Sequence, residues 1–294
     1  MAHAGWKIGI IGGSGVYAID ALDDARWVEV DSPFGTPSDE LLCGRIGGIE
    51  VAFLPRHGRG HRLSPTMVNA RANIDALKRA GCTDVLAISS VGSLREKLAP
   101  GQFVVADQFI DRTFARDKSF FGEGLVAHVS MADPVCPRLS GLAAEAARRA
   151  GAEVVVGGTY LAMEGPQFST RAESHLYRSW GCDLIGMTGM PEAKLAREAE
   201  LPYALVCMVT DYDCWRADTA HVEVAQVIAQ LHANAAVARA LVVALAGLLP
   251  AERAPCPLDT VLDQALISDL DGADPALLQR LEAICARVLA ARRG

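Results

Sequence analysis

The chain has 294 residues, 51% of them hydrophobic and 21% charged, which is globular usage with enough apolar material for a sizeable core. A formal charge of -7 excludes a broad basic face for a nucleic-acid backbone and leaves small molecules as the natural partners. Residues 1–7 lack the apolar core of a secretory signal, and the most apolar window, "AAVARALVVALAGLL", is interrupted by Arg239, so neither a leader nor a membrane span is expected.

In chain order, a first strand, "KIGII" from Lys7, runs into Gly12, Gly13, Ser14 and Gly15, whose backbone amides can cradle an anion. Two readings stay open there. Gly13 to Ala18 fits the dinucleotide pattern G-x-G-x-x-A, with Glu29 or Asp31 as the ribose-binding acid; the same run also fits a loop gripping free phosphate. A second strand, "VAFLP", leads into "PRHGRGHR", which packs Arg56, His57, Arg59, His61 and Arg62 into one anion-binding segment. His57 and His61 have metal-ligand spacing only on a helix, which Gly58 and Gly60 disfavour, so no metal is expected.

A helix over "TMVNARANIDALKRAG" precedes the strand "DVLAISS". The stretch "ISSVGSLRE" that closes it offers hydroxyls to an anion or sugar, or else a helix cap at Ser93 with Glu96. Strands "FVVADQFI" and "AEVVVGGTYLAM" flank the helix "RLSGLAAEAARRAG". Next, "AMEGPQFSTRAE" brings Phe168 to a turn, where it either stacks on a flat ring or joins the core. The helix "STRAESHLYRSWG", the strand "DLIGM" with Met187 and Thr188 at its end, the helix "MPEAKLAREAE" and the strand "YALVCMVT" complete an alternating pattern. Glycines 81, 151 and 181 sit where helices should end.

"VTDYDCW" then sets Asp211 and Asp213 one residue apart beyond a strand. In an extended segment the two carboxyls face the same way and raise each other's pKa in a dry pocket, so one can hold a proton to donate; the plainer alternative is a turn signal. From His221 the pattern is wholly helical, and after "PAERAPCPLD" a last helix carries a stripe of Leu277, Leu278, Leu281, Ile284, Val288 and Leu289, suited to packing on its own subunit or on another. The alternation predicts an α/β fold around a largely parallel or mixed sheet flanked by helices, one domain with no linker in the middle. Eight scattered cysteines without a C-x-x-C pair read as reduced thiols of a cytoplasmic protein.

Together and in order, "GIIGGSG", "PFGTPSD", "RHGRGH", "GSLRE", "DQFIDRT", "MEGPQFSTRAES", "MTGMPEAKLARE" and "TDYDCW" make the chain, from about Lys7 to Leu248, resemble the S-methyl-5'-thioadenosine phosphorylases of the trimeric purine nucleoside phosphorylase family. The resemblance implies a partly barrel-like sheet in a domain over 1–250, with 251–294 a helical extension, and a homotrimer. It implies phosphorolysis of S-methyl-5'-thioadenosine with inorganic phosphate as co-substrate and no cofactor. Ser14, Arg56, His57, Ser90, Val91 and Thr188 would then form the phosphate site, with Met187 against the ribose, Phe168 in the purine pocket, and Asp211 and Asp213 facing the base. Asp211 would be the general acid at purine N7. Ser169, Val224 and, from a neighbouring subunit, His128 would set specificity. A broader purine nucleoside or methylthioinosine phosphorylase is the nearest alternative, and a nicotinamide-dependent Rossmann oxidoreductase or a non-catalytic nucleotide-binding protein the distant ones.

Overall fold

A computed structural model describes residues 5–13, 15–16, 19–216 and 224–293. Its strands are β1 (Lys7–Gly12), β2 (Asp23–Val28), β3 (Leu41–Ile46), β4 (Ile49–Pro55), β5 (Asp84–Ser93), β6 (Phe103–Ala106), β7 (Gln108–Asp111), β8 (Val154–Val156), β9 (Thr159–Ala162), β10 (Leu184–Gly186) and β11 (Tyr203–Asp211). Its helices are α1 (Ala70–Arg79), α2 (Pro137–Arg149), α3 (Arg171–Ser179), α4 (Gly189–Glu198), α5 (Val224–Leu248), α6 (Leu262–Ala265), α7 (Pro275–Arg280) and α8 (Ala286–Arg293).

The strands form one mixed sheet that forks at β5. The first half of β5 lies parallel to β1 on one edge and to β11 on the other. Beyond Ala87 it outruns β1, and Gly92 and Ser93 pair antiparallel with β10 instead. One arm continues through β9 to β7, the other through β11 and β6 to β8.

The central strands are apolar on both faces because helices cover both. Val85, Ala87, Leu205 and Cys207 point into a core built with α1, α4 and the tail. Leu86, Ile88, Val206 and Met208 alternate into a second core built with α2 and α5. Helix α5 contains a stretch, Ala229–Leu248, long and apolar enough to cross a membrane by composition, yet here Ala238, Leu241 and Leu245 pack into that second core. Its Arg239 donates to the carbonyl of Gly15 at 2.7 Å, anchoring the glycine-rich turn.

Several sequence-based expectations change. The polar edge strand β2 and its neighbour β3 were not anticipated, since "DDARWV" is mostly exposed and lacks an alternating apolar signal. "FVVADQFI" and "AEVVVGGTYLAM" each split in two, around Asp107 and the Gly157-Gly158 pair, and the Asp107 carboxylate accepts from the Gly158 amide at 2.9 Å. Ser93 caps no helix: β5 runs through it, and its hydroxyl donates to the Arg95 carbonyl at 2.8 Å. The dinucleotide reading fails on topology. The strand after the glycine turn, β2, pairs antiparallel with β3, whereas a dinucleotide unit needs a crossover helix and a parallel partner beside β1.

The last helix breaks into α7 and α8. Its stripe packs on its own chain, with Leu281 and Ile284 buried in the core that also holds Leu54, Leu77 and Ala196.

Helix α4 holds the surrounding loops through its charged residues. Lys194 donates to Asp111 at 2.5 Å, and Arg197 holds the carbonyls of Ser130 and Asp133. Just past the helix, Glu200 takes the Leu262 amide and Arg287, tying down the tail. Glu198 accepts from the Ser119 hydroxyl and the Phe120 amide, both at 2.7 Å, and burial pushes its pKa up to about 7. A carboxyl raised on folding stabilises the fold while protonated, and that contribution is lost as pH rises through the folded value. Glu198→Gln, which keeps the neutral shape, should therefore gain in melting temperature relative to wild type as pH goes from about 5 to about 8. A difference that does not change with pH would refute this assignment.

Candidate active site

The carboxyl ends of β1, β5, β10 and β11 surround a cavity of about 270 Å³. Ligands in α/β sheets collect at such strand ends, where the loops diverge.

At one side stands the segment after β4. Arg56 is 2% exposed and pairs with Glu192 of α4, which is equally buried: Nε to Oε1 at 2.5 Å and Nη2 to Oε2 at 3.1 Å. Its Nη1 donates to the Ile88 carbonyl at 2.9 Å and its Nη2 to the Ile11 carbonyl at 3.4 Å. Burial opposes the charge on Arg56, but Glu192 outweighs it and raises the pKa. His57 turns Nδ1 to the Leu63 carbonyl at 2.9 Å, so that nitrogen carries the proton and Nε2 keeps its lone pair. Burial and the neighbouring Arg56 push its pKa down to about 4, and the ring is neutral at physiological pH. His61 stacks on it with centroids 4.4 Å apart.

Hydroxyls face this side. Thr188 Oγ1 lies 2.7 Å from Ser89 Oγ, and the Thr188 and Gly189 amides donate to the Tyr160 hydroxyl at 3.1 and 3.3 Å. A side chain at Gly186 would collide with that hydroxyl, its Cβ only 2.2 Å away, so glycine is required for Tyr160 to reach beneath the turn.

At the other side β11 ends at Asp211. Its Oδ2 accepts from the Thr210 hydroxyl and its Oδ1 from the Asp213 amide, both at 2.7 Å. The two carboxyls therefore meet through a turn and not along an extended strand: Asp213 has φ 52°, and its amide closes back on Asp211. Burial raises the pKa of both, and the charge of Asp211 adds to the effect on Asp213. Asp213 Oδ2 is fully buried, and the Ser174 hydroxyl beside the carboxyl partly offsets the effect of burial. Gly92 leaves the room these acids need, because a Cβ there would stand 3.1 Å from Asp211 Oδ1.

Between the two sides the wall is apolar, with Met163, Ile185, Met187 and Met208. A second buried pair fixes it. Arg116 spends its Nε on Glu164 at 2.9 Å and its terminal nitrogens on the carbonyls of Met163, Glu164, Met187 and Met190. Glu164 also takes the Thr66 hydroxyl and the amides of Phe114 and Ala115; burial works against its charge, but these donors hold its pKa down to about 2.

Of the residues singled out in the sequence, Arg56, His57, Ser90, Val91, Phe168, Met187, Thr188, Asp211 and Asp213 line this one cavity. Phe168 is half exposed at its rim. Val91 offers no polar side chain, since it packs into the core, and its carbonyl accepts from Thr210. Ser169 stands behind the wall, its hydroxyl on Met163 Sδ at 3.6 Å. His128 is exposed and lies away from the lining, its backbone tied to Ala265. Ser14 and the side chain of Val224 lie outside the described residues. Ser89, Glu192 and the Arg116–Glu164 pair were missed. The strand alternation could have separated Ser89 from Ser90, but nothing local marks a buried partner 136 residues away from Arg56.

The profile of the phosphorylase superfamily matches residues 7–246. An S-methyl-5'-thioadenosine phosphorylase of Cereibacter sphaeroides is 61% identical over 284 residues, covering 96% of this chain and 98% of that one. The crystal structure of a methylthioadenosine phosphorylase from an Antarctic soil metagenomic library superposes with a TM-score of 0.91 at 45% identity, covering 95% of this chain and 98% of the other. That of a Schistosoma mansoni methylthioadenosine phosphorylase in complex with adenine gives 0.80 at 39% identity, over 84% and 93%. The chain therefore belongs to the phosphorylase superfamily, in the family of the S-methyl-5'-thioadenosine phosphorylases.

Proposed function

We propose that this protein splits S-methyl-5'-thioadenosine with inorganic phosphate into adenine and S-methyl-5-thio-α-D-ribose 1-phosphate, in the salvage of methionine and purine. The observation that carries the reading is one cavity with a hydroxyl- and arginine-lined end, an apolar middle and a pair of desolvated carboxyls at the far end.

Phosphorolysis makes the sugar cation-like while the purine departs as an incipient anion. Phosphate held by Ser89, Thr188, Arg56 and the glycine turn stabilises the positive sugar and then captures it. Asp211, kept protonated more readily by burial, donates to the leaving purine at N7. A carboxyl rather than an amide at Asp211 also suits a 6-aminopurine, whose exocyclic amine donates, with Asp213 beside it in the same lining. Met163, Met187 and Met208 form the kind of polarizable apolar wall that a methylthio-sugar fits. No cofactor enters this scheme, and phosphate is a co-substrate.

The bare Phe114 and Met67, on segments tied to Glu164, and the exposed His128 suit contact with a neighbouring copy; that the copies number three rests on the family resemblance alone. Eight free cysteines favour the reducing cytoplasm.

Adenine release from S-methyl-5'-thioadenosine should require phosphate and exceed purine release from methylthioinosine, adenosine and inosine; equal rates across these nucleosides would favour the broader phosphorylase. Asp211→Asn should cut kcat by about 100-fold or more and shift preference toward the 6-oxopurine. The wild-type rate should fall on the alkaline side, where Asp211 loses its proton, and that limb should vanish in the variant. Thr188→Val should raise the phosphate KM about 10- to 100-fold with little change in the nucleoside KM.

A further inference from the structure

Arg56 is the one permanent cation among the described residues that line the cavity. It is not free to act as a full charge. Glu192 does not line the cavity, yet it grips Arg56 through both Nε and Nη2, and the Tyr203 hydroxyl donates to the same carboxylate at 3.2 Å. With Ile88 and Ile11 taking two further N–H groups, four of the five guanidinium donors are engaged by protein, and a single Nη1 N–H remains for a ligand.

We propose that Glu192 is a positioning residue of the phosphate site: it fixes Arg56 with one N–H toward the cavity and offsets its charge, so that free phosphate is held loosely. This rests on the phosphate-site reading above. The physical reason lies in how binding energy acts on rate. An uncompensated guanidinium in a dry cavity would bind a dianion strongly before any bond to the sugar forms, and affinity gained equally in ground and transition states does not raise kcat. A carboxylate behind the guanidinium repels the same dianion and weakens that early hold. The remaining contacts come from neutral hydroxyls such as those of Ser89 and Thr188.

A role as mere structural support predicts that losing Glu192 weakens phosphate binding along with stability. Charge compensation predicts the opposite sign for binding, because phosphate becomes the missing counter-ion. The test is the rise in melting temperature with inorganic phosphate, titrated without nucleoside, alongside the steady-state phosphate KM and kcat. Glu192→Gln should melt lower than wild type without phosphate, yet reach half-saturation at about 5- to 50-fold less phosphate, with no rise in kcat. Glu192→Asp, which keeps the charge, should hold the wild-type half-saturation within about threefold.

A half-saturating phosphate concentration that is unchanged or higher in Glu192→Gln would overturn the proposal. Should that variant fail to fold, Arg56→Met is compared with Arg56→Met/Glu192→Met, since removing both partners spares the buried charge. The double variant should bind phosphate several-fold more tightly than the single one, and equal binding would overturn the proposal. A wild-type protein that gains no stability from phosphate and releases no adenine would instead overturn the phosphate-site reading, and this proposal with it.

Discussion

The buried ion pair between Arg56 and Glu192 organises one side of the site. Both side chains are 2% exposed, and breaking such a pair leaves a buried charge at a cost of about 3–5 kcal/mol. The guanidinium also reaches two other strands, through the carbonyls of Ile11 near the end of β1 and Ile88 in the middle of β5, while the Arg56 amide donates to the Gly12 carbonyl. With the Tyr203 hydroxyl on Glu192, one pair thus registers β1, the segment after β4, β5, α4 and β11 against each other.

The Arg116–Glu164 pair does the equivalent for the apolar middle. Its donors and acceptors reach a short 3-10 turn at Thr66 and the irregular segments at Phe114, Met163 and Met187. Fixed groups of this kind need no rearrangement as charge develops, which is how a small number of polar side chains acts strongly in a dry cavity. The acid end is built on the contrary rule. Asp211 and Asp213 have no cation beside them in their hydrogen bonds, so burial dominates and favours their protonated forms. One cavity therefore offers a compensated cation at one end and reluctant anions at the other.

How much of this was legible in the sequence depended on the range of the interaction concerned. Central strands announced themselves because β-branched and leucine runs bounded by glycine are local signals. The edge strand β2 did not, because its side chains meet solvent and its pairing with β3 is decided by the backbone. The tail stripe was legible as apolar, but whether it met its own chain or another was not, and Leu281 and Ile284 answer that by joining the core that contains Leu77. The aspartate pair was legible as a chemical group, but its geometry stayed open between an extended segment and a turn, and a positive φ at Asp213 decides for the turn.

By itself the sequence determined the alternation of strands and helices, the glycine turns, and the polar residues available at strand ends, because propensity and periodicity act over a few neighbouring positions. Its motifs also pointed to the family. Only the tertiary structure decided that the sheet forks at β5, that Ser89 and not Ser90 brings its hydroxyl to Thr188, and that the charge of Arg56 is paired with Glu192. Those outcomes depend on burial and on partners far apart in the chain, and a charge takes its chemical meaning from what lies within a few ångströms of it.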